Sequence, residues 1–363
     1  MPEPFKNLIH AGLVEQAASK LRHAWPAFDA ARFTALAGSG LDALEMKARA
    51  MQICAALEAT LPDDFAAAAP LLQHTVQGDG ALAGWILWPL GEYVARRGQR
   101  QPELALTVLH RLTQRFTAEF AIRPFIAGHP ELAFATLARW VHDPSEHVRR
   151  LVSEGSRPRL PWGLQLKALV ADPAPTLPLL LALQDDPSDY VRRSVANHLN
   201  DIAKDHPALV AAWLEQHLPA ASKERRALLR HASRTLVKQG DRRVLAAWGL
   251  GKPLRGAASL SLAPKKIALG EHVALKLVLT STSPKAQKLA IDYLVHHVKA
   301  DGSVSPKVFK GWVAELPPNG TLTLGKRHAV KPITTRRYHA GHHAVDVQVN
   351  GQVVASAAFT LKL

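Results

Sequence analysis

Asp143-Pro144-Ser145-Glu146-His147-Val148-Arg149-Arg150-Leu151-Val152 returns 43 residues later as Asp186-Pro187-Ser188-Asp189-Tyr190-Val191-Arg192-Arg193-Ser194-Val195. A residue before proline is pushed out of the α region, so each Asp-Pro ends a helix. Ser145 and Ser188 then stand where the next helix begins and are expected to cap it. Val148 and Val191 face a neighbouring repeat, while the Arg-Arg pairs leave the same turn on a side that can stay solvated. This spacing is the period of HEAT-type helix pairs. Glu224-Arg225-Arg226-Ala227-Leu228 is a weaker third copy.

Outward from this repeat, residues 1 to about 250 read as helix after helix. Apolar residues recur at three and four, as in Leu104, Val108, Leu109 and Leu112, and again in Leu228, Leu229 and Leu236. The breaks are short: Leu61-Pro62-Asp63-Asp64, Gly78-Asp79-Gly80, Gly128-His129-Pro130 and Asp172-Pro173. Connections of that length make neighbouring helices antiparallel. Near Gly249-Leu250-Gly251-Lys252-Pro253 the period changes to two, in 258–262, 272–279 and 344–349. Asn350-Gly351 then reads as a primed hairpin turn, and 353–355 and 359–361 as the return. Tyr338 to His343 resembles a tyrosine-corner region. The chain is therefore expected to be mainly α: a HEAT-like helical-repeat solenoid over 1–250, followed by an all-β immunoglobulin-like sandwich of seven strands over 255–363.

Composition narrows the function classes. The 363 residues carry 47% apolar side chains, as a globular protein does, and 363 is comfortable for two domains. Apolar runs such as Leu177 to Leu183 are too short to span a bilayer. Met1 to Lys6 lacks the layout of a signal peptide, so a cytoplasmic protein with no membrane partner is expected. Cys54 is the one cysteine, which excludes an intramolecular disulfide and a thiolate metal cluster; its helical context makes it a buried hydrophobe. The net charge of +15 favours a polyanionic partner. Residues 252–363 hold 16 Lys and Arg against 5 Asp and Glu. That region therefore supplies +11 of the excess.

The stretch richest in chemistry is Arg149-Arg150-Leu151-Val152-Ser153-Glu154-Gly155-Ser156-Arg157-Pro158-Arg159-Leu160-Pro161-Trp162. A carboxylate ends a helix bearing two arginines, and two more arginines and a Pro-Trp follow. In the second repeat Asn197 is in register with Glu154, and Asp201 lies one turn further on. Upstream, Glu119 sits beside Arg123-Pro124. Stacked repeats put corresponding helix ends side by side, so Glu119, Glu154 and Asp201 could converge. Taken singly, Glu154 is a surface partner of Arg150, Asp201 a partner of Lys204, and Trp162 a packing residue. Together, carboxylates among arginines suit a site that holds an anionic backbone and stabilises a cation. His296-His297 and His339 to His343 lack carboxylate or cysteine partners in the pattern, so no metal is expected.

The run from Thr117 to Asp201 resembles the DNA alkylation-repair glycosylases with HEAT-like repeats, AlkC more than AlkD. It does so in Glu119-Phe120-Ala121-Ile122-Arg123-Pro124-Phe125, in Arg149 to Trp162 and in Val191 to Asp201, and the likeness continues through Arg230 to Leu236. The β-region looks like the immunoglobulin-like extension of some AlkC proteins. The resemblance implies a monofunctional glycosylase for small cationic lesions, chiefly 3-methyladenine with 3-methylcytosine alongside. It would act as a monomer on double-stranded DNA at the nucleoid, without a cofactor and without a base-flipping pocket. Glu119, Glu154 and Asp201 form the catalytic set on this reading, their individual roles open. Arg123, Arg149, Arg150, Arg157, Arg159, Arg192 and Arg193 hold DNA, with Trp162 against a sugar or base. The basic sandwich adds Lys307, Lys310, Lys326, Arg327, Arg336, Arg337 and His339. The alternatives are a non-catalytic DNA-binding scaffold and a HEAT-repeat protein-interaction module.

Overall fold

The Asp-Pro-Ser turns are closed by their aspartates. Asp143 Oδ1 accepts the Ser145 N–H at 2.8 Å and Asp186 Oδ1 that of Ser188 at 2.9 Å. Ser145 and Ser188 occupy the N-cap positions, yet neither side chain makes the capping bond. The Ser188 hydroxyl donates instead to the Glu146 carboxylate, which corrects the expected serine cap. The first arginine of each pair staples the same turn. Arg149 Nη1 donates to the carbonyls of Asp143 and Pro144 at 2.8 and 3.0 Å, and Arg192 Nη1 to those of Asp186 and Pro187 at 2.6 and 2.9 Å. Arg149 also forks onto Asp186 of the next repeat, Nε to Oδ2 at 2.6 Å and Nη2 to Oδ1 at 3.0 Å. The recurring Asp and Arg are thus one device that shapes each turn and ties successive repeats.

The computed structural model describes residues 4–333 and 336–363, with 16 α-helices among them. The start of the leader reading, Met1 to Glu3, lies outside the described residues. The repeat helices Glu146–Gly155 and Asp189–Ile202 pack side by side, and the third copy, Lys223–Ala232, packs on the second. Val148, Leu151, Val152, Val191, Val195 and Leu199 are fully buried between helices, as the periodicity requires. Cys54 is buried, and burial pushes its thiol up to about 12. No helix among the described residues is long and apolar enough to cross a membrane. By compactness the described residues fall into two units. One unit holds the residues up to Asp205 with Lys223–Ala232; the other holds His206–Ser222 and Ser233–Leu363. Helices Pro207–His217, Arg234–Gln239 and Arg242–Ala247 therefore belong to the same compact unit as the strands.

The β-region has eight strands where seven were expected: β1 (Gly256–Ala263), β2 (Lys266–Ala268), β3 (His272–Ser281), β4 (Gln287–Val298), β5 (Val304–Leu316), β6 (Thr321–Ala329), β7 (Gly341–Val349) and β8 (Gln352–Lys362). One sheet runs β1-β3-β6 and the other β2-β8-β7-β4-β5. Alternate residues fill the space between them: Val273, Leu275, Leu277 and Leu279 of β3 join Tyr293 and Val295 of β4 and Val345 and Val347 of β7. Asn350 and Gly351 have φ of +50° and +80°, the left-handed pair that a primed turn demands.

Three histidines are enclosed in this sandwich. The His297 ring lies 6.5 Å from His328 and 5.7 Å from His343, with Tyr338 edge-on at 5.6 Å. Burial first, then the nearby Arg336, pushes His297 down to about 3 and His328 to about 4; burial also lowers His343. The folded state therefore binds fewer protons than the unfolded chain once pH drops below the ordinary histidine value of about 6.5. Stability from this cluster is complete above that pH and is lost as pH falls toward about 4. The denaturant midpoint of the sandwich unit should thus drop steadily between pH 7 and 4.5. A flat profile would show that the imidazoles are not enclosed in neutral form.

Candidate active site

Glu119, Glu154 and Asp201 are brought together by one continuous ion-pair network. Glu119 lies in the turn before helix Arg123–Gly128, Glu154 in the last turn of Glu146–Gly155, and Asp201 in the last turn of Asp189–Ile202. Thr117 Oγ1 donates to Glu119 Oε2 at 2.9 Å and accepts from Arg150 Nη1 at 2.7 Å; Arg150 Nη1 also meets Glu119 Oε2. Arg150 Nη2 faces Glu154 Oε1 at 3.7 Å. Arg157 Nη1 donates to that same oxygen at 2.5 Å, and Ser194 Oγ donates to Oε2 at 2.6 Å. Arg157 Nε then reaches Asp201 Oδ2 at 2.8 Å, and Lys204 Nζ reaches Oδ1 at 2.8 Å. Carboxylate and cation alternate throughout, so charges that would be costly alone are compensated.

Exposure and hydrogen bonding separate the three acids. Their side chains are 12%, 8% and 2% exposed in the order Glu119, Glu154, Asp201. Both oxygens of Glu154 and of Asp201 accept hydrogen bonds. Among the described residues the hydrogen bonds to the Glu119 carboxylate fall on Oε2. His198, fully buried behind the network, places Nδ1 2.9 Å from the Ser153 carbonyl. Burial pushes it down to about 4, so it is neutral near pH 7 and adds no positive charge.

Arg123 builds the loop that completes the site. It is fully buried, with Nε on the Leu164 carbonyl at 2.5 Å and Nη1 on those of Gly155 and Arg157 at 2.8 and 2.7 Å; Nη2 lies 3.5 Å from that of Pro158. A DNA phosphate cannot reach these donors, so the contact expected of Arg123 is corrected: it clamps the segment carrying Arg157 and Trp162. Gly155 is part of the same close fit, since a Cβ there would meet Ile122 Cγ2 at 2.6 Å. Trp162 holds a left-handed backbone, φ +65°, and is 59% exposed. Its ring lies parallel to Trp88 at 6.3 Å and edge-on to Phe5 at 5.9 Å. A bulky residue in that conformation costs about 1–3 kcal/mol and persists only where its surroundings impose it; the Arg123 clamp is such a surrounding.

Among the known proteins to which the chain is similar over nearly its full length are the following two. One is the uncharacterised YhaZ of Bacillus subtilis (strain 168), 37% identical over 98% of each chain. The other is the Pseudomonas fluorescens alkylpurine DNA glycosylase AlkC, solved bound to DNA containing an abasic site analog. It is 36% identical, covering 99% of this chain and 100% of AlkC, with a TM-score of 0.93. Residues 93–236 match the family described as DNA alkylation repair enzyme, and 256–363 match the C-terminal Ig-like domain of YhaZ. The chain belongs to the AlkC-type DNA alkylation repair enzymes. The repair-enzyme match encloses Glu119, Glu154 and Asp201.

The remaining basic residues of this AlkC-type enzyme fall into two groups. Arg149 and Arg192 are held in the Asp-Pro turns, and Arg150 and Arg157 inside the carboxylate network, so phosphate is not their first partner here. Arg159 forks onto Asp205 at 2.7 Å through both Nε and Nη2 while its side chain stays 35% exposed. Arg193 is exposed. In the sandwich Lys307, Lys310, Arg327 and Arg337 are exposed and His339 is half-buried. Lys326 is half-buried: strand parity turns it inward, where Nζ donates to the Lys310 carbonyl at 2.6 Å beside Tyr293 and Trp312. Arg336 likewise turns onto His297 Nε2 at 2.5 Å. Among the described residues no group of three or more His, Cys, Asp or Glu is placed to hold a metal. Sequence reasoning missed Thr117 and Ser194. The signal for Ser194 was its place in the repeat that also carries Asp201; Thr117 had none beyond its nearness to Glu119.

Proposed function

We infer that this chain is a monofunctional DNA N-glycosylase that removes small cationic alkylated bases, chiefly 3-methyladenine and also 3-methylcytosine. The observation that carries the reading is the convergence of Glu119, Glu154 and Asp201 on one network within the repeat scaffold. A positively charged base is already a good leaving group, so little acid catalysis is required. Its departure leaves an oxocarbenium-like sugar cation, which fixed carboxylates stabilise. Glu119, hydrogen-bonded through Oε2 and the most exposed of the three, orients the water that attacks the sugar. Glu154 and Asp201, held by Arg150, Arg157, Lys204 and Ser194, are fixed carboxylates behind it. Trp162 packs against the sugar or base at the lesion.

Duplex DNA is held by Arg159 and Arg193 of the repeats and by Lys307, Lys310, Arg327, Arg337 and His339 of the sandwich. Each phosphate contact lowers the slope of log affinity against log salt by about 0.9. Replacing Lys310, Arg327 and Arg337 together by Ala should flatten that slope by roughly 2–3 units, whereas Lys326→Ala should leave it unchanged. Equal slopes in wild type and the triple variant would remove the sandwich from the DNA contact.

The substrate range is tested by following bases released from DNA carrying 3-methyladenine, 3-methylcytosine or 7-methylguanine. Rapid loss of the first, slower loss of the second and little of the third is expected. Tight binding to all three without release would instead favour a non-catalytic scaffold.

A further inference from the structure

We propose that Tyr190 is a positioning residue for base excision: its ring face fixes the Arg150 guanidinium that joins Glu119 to Glu154. The inference rests on the glycosylase reading. A guanidinium offers its edge to hydrogen bonds and its face to an aromatic ring. The Arg150 edge is committed to Thr117 and Glu119 and faces Glu154 at 3.7 Å. Arg150 Cζ lies over the face of the Tyr190 ring, 5.2 Å from its centroid. The Glu154 pairing is the loosest ion pair in the network, so without a cover the guanidinium can swing away from it.

Tyr190 comes from the next repeat, in the first turn of helix Asp189–Ile202, and is itself steadied by His147, edge-on at 5.8 Å. His147 occupies the matching place in the preceding repeat. The same repeat position thus carries a ring in both repeats, and that of Tyr190 lies under the arginine of the preceding one. The ring is 42% exposed, so the stack closes the outer side of Arg150 and its loss does not open a core. Partial burial of the phenol raises its pKa above the ordinary tyrosine value, so the hydroxyl stays neutral at working pH.

The test compares Tyr190→Phe and Tyr190→Ala with wild type and Glu154→Gln, in single-turnover excision of 3-methyladenine and in affinity for abasic-site DNA. Tyr190→Phe should excise within about twofold of wild type, and Tyr190→Ala about tenfold more slowly with nearly unchanged affinity. The Ala deficit should widen with salt, because the unbraced pair is screened more strongly. A full rate in Tyr190→Ala beside an impaired Glu154→Gln overturns the proposal alone. An equal loss in Phe and Ala assigns the effect to the hydroxyl and also overturns it. The Arg150 Nε–H resonance supplies a readout independent of activity: it should be ring-current shifted in wild type and Tyr190→Phe and revert in Tyr190→Ala. If wild type releases no base, the glycosylase reading fails, while an unshifted resonance fails the stack itself.

Discussion

Glu154→Gln is expected to slow single-turnover excision of 3-methyladenine by about a hundredfold or more while DNA affinity stays close to wild type. Glu154 is the hub of the network, facing Arg150 and Arg157 through one oxygen and Ser194 through the other. The amide keeps the volume and can keep the contacts. Its oxygen faces the two arginines, and its NH2 donates to Ser194, whose hydroxyl rotates to accept. The fold therefore survives, and what is lost is the charge opposite the sugar cation. Asp201→Asn should slow the reaction in the same direction but with a structural cost, because both Asp201 oxygens meet cations and one must now face an NH2. Unchanged excision by both variants would remove these carboxylates from catalysis.

The largest loss of stability is expected for Arg123→Ala. The side chain is fully buried, and its removal leaves a cavity and strands the carbonyls of Gly155, Arg157 and Leu164. Cavity formation and unsatisfied acceptors together cost about 4 kcal/mol or more. Burial, and after it Arg157, lowers the Arg123 guanidinium to about 10, which still leaves it charged at neutral pH. Arg123→Lys should rescue little, since a point-like ammonium cannot span carbonyls that a planar fork reaches together. Denaturant unfolding of the repeat unit checks this, and a wild-type midpoint for Arg123→Ala would contradict the clamp. Excision should fall as well, because Arg157 and Trp162 ride on the clamped segment.

The repeat scaffold was legible because its signals are local. An Asp-Pro break, an apolar stripe and a 43-residue register each follow from neighbouring residues. Convergence of Glu154 and Asp201 was legible for the same reason, since stacked repeats align their helix ends, whereas Glu119 reaches them from a turn. What stayed hidden depends on where long side chains end. Arg123 looks like a phosphate ligand in sequence, yet its carbonyl partners lie 32 to 41 residues away. Arg149 and Arg192 form a matched pair whose partners are turn carbonyls, a role that periodicity cannot separate from a solvated face. Lys326 and Arg327 are adjacent, so a period of two sends one inward, and composition alone does not say which.

The measurement that bears most directly on the central claim is the fate of DNA containing 3-methyladenine after incubation with excess purified protein, wild type beside Glu154→Gln. The account predicts free 3-methyladenine and an intact strand with an abasic site from wild type, with release by the variant slowed about a hundredfold or more. Release by wild type no faster than spontaneous depurination, on DNA that is demonstrably bound, would contradict it.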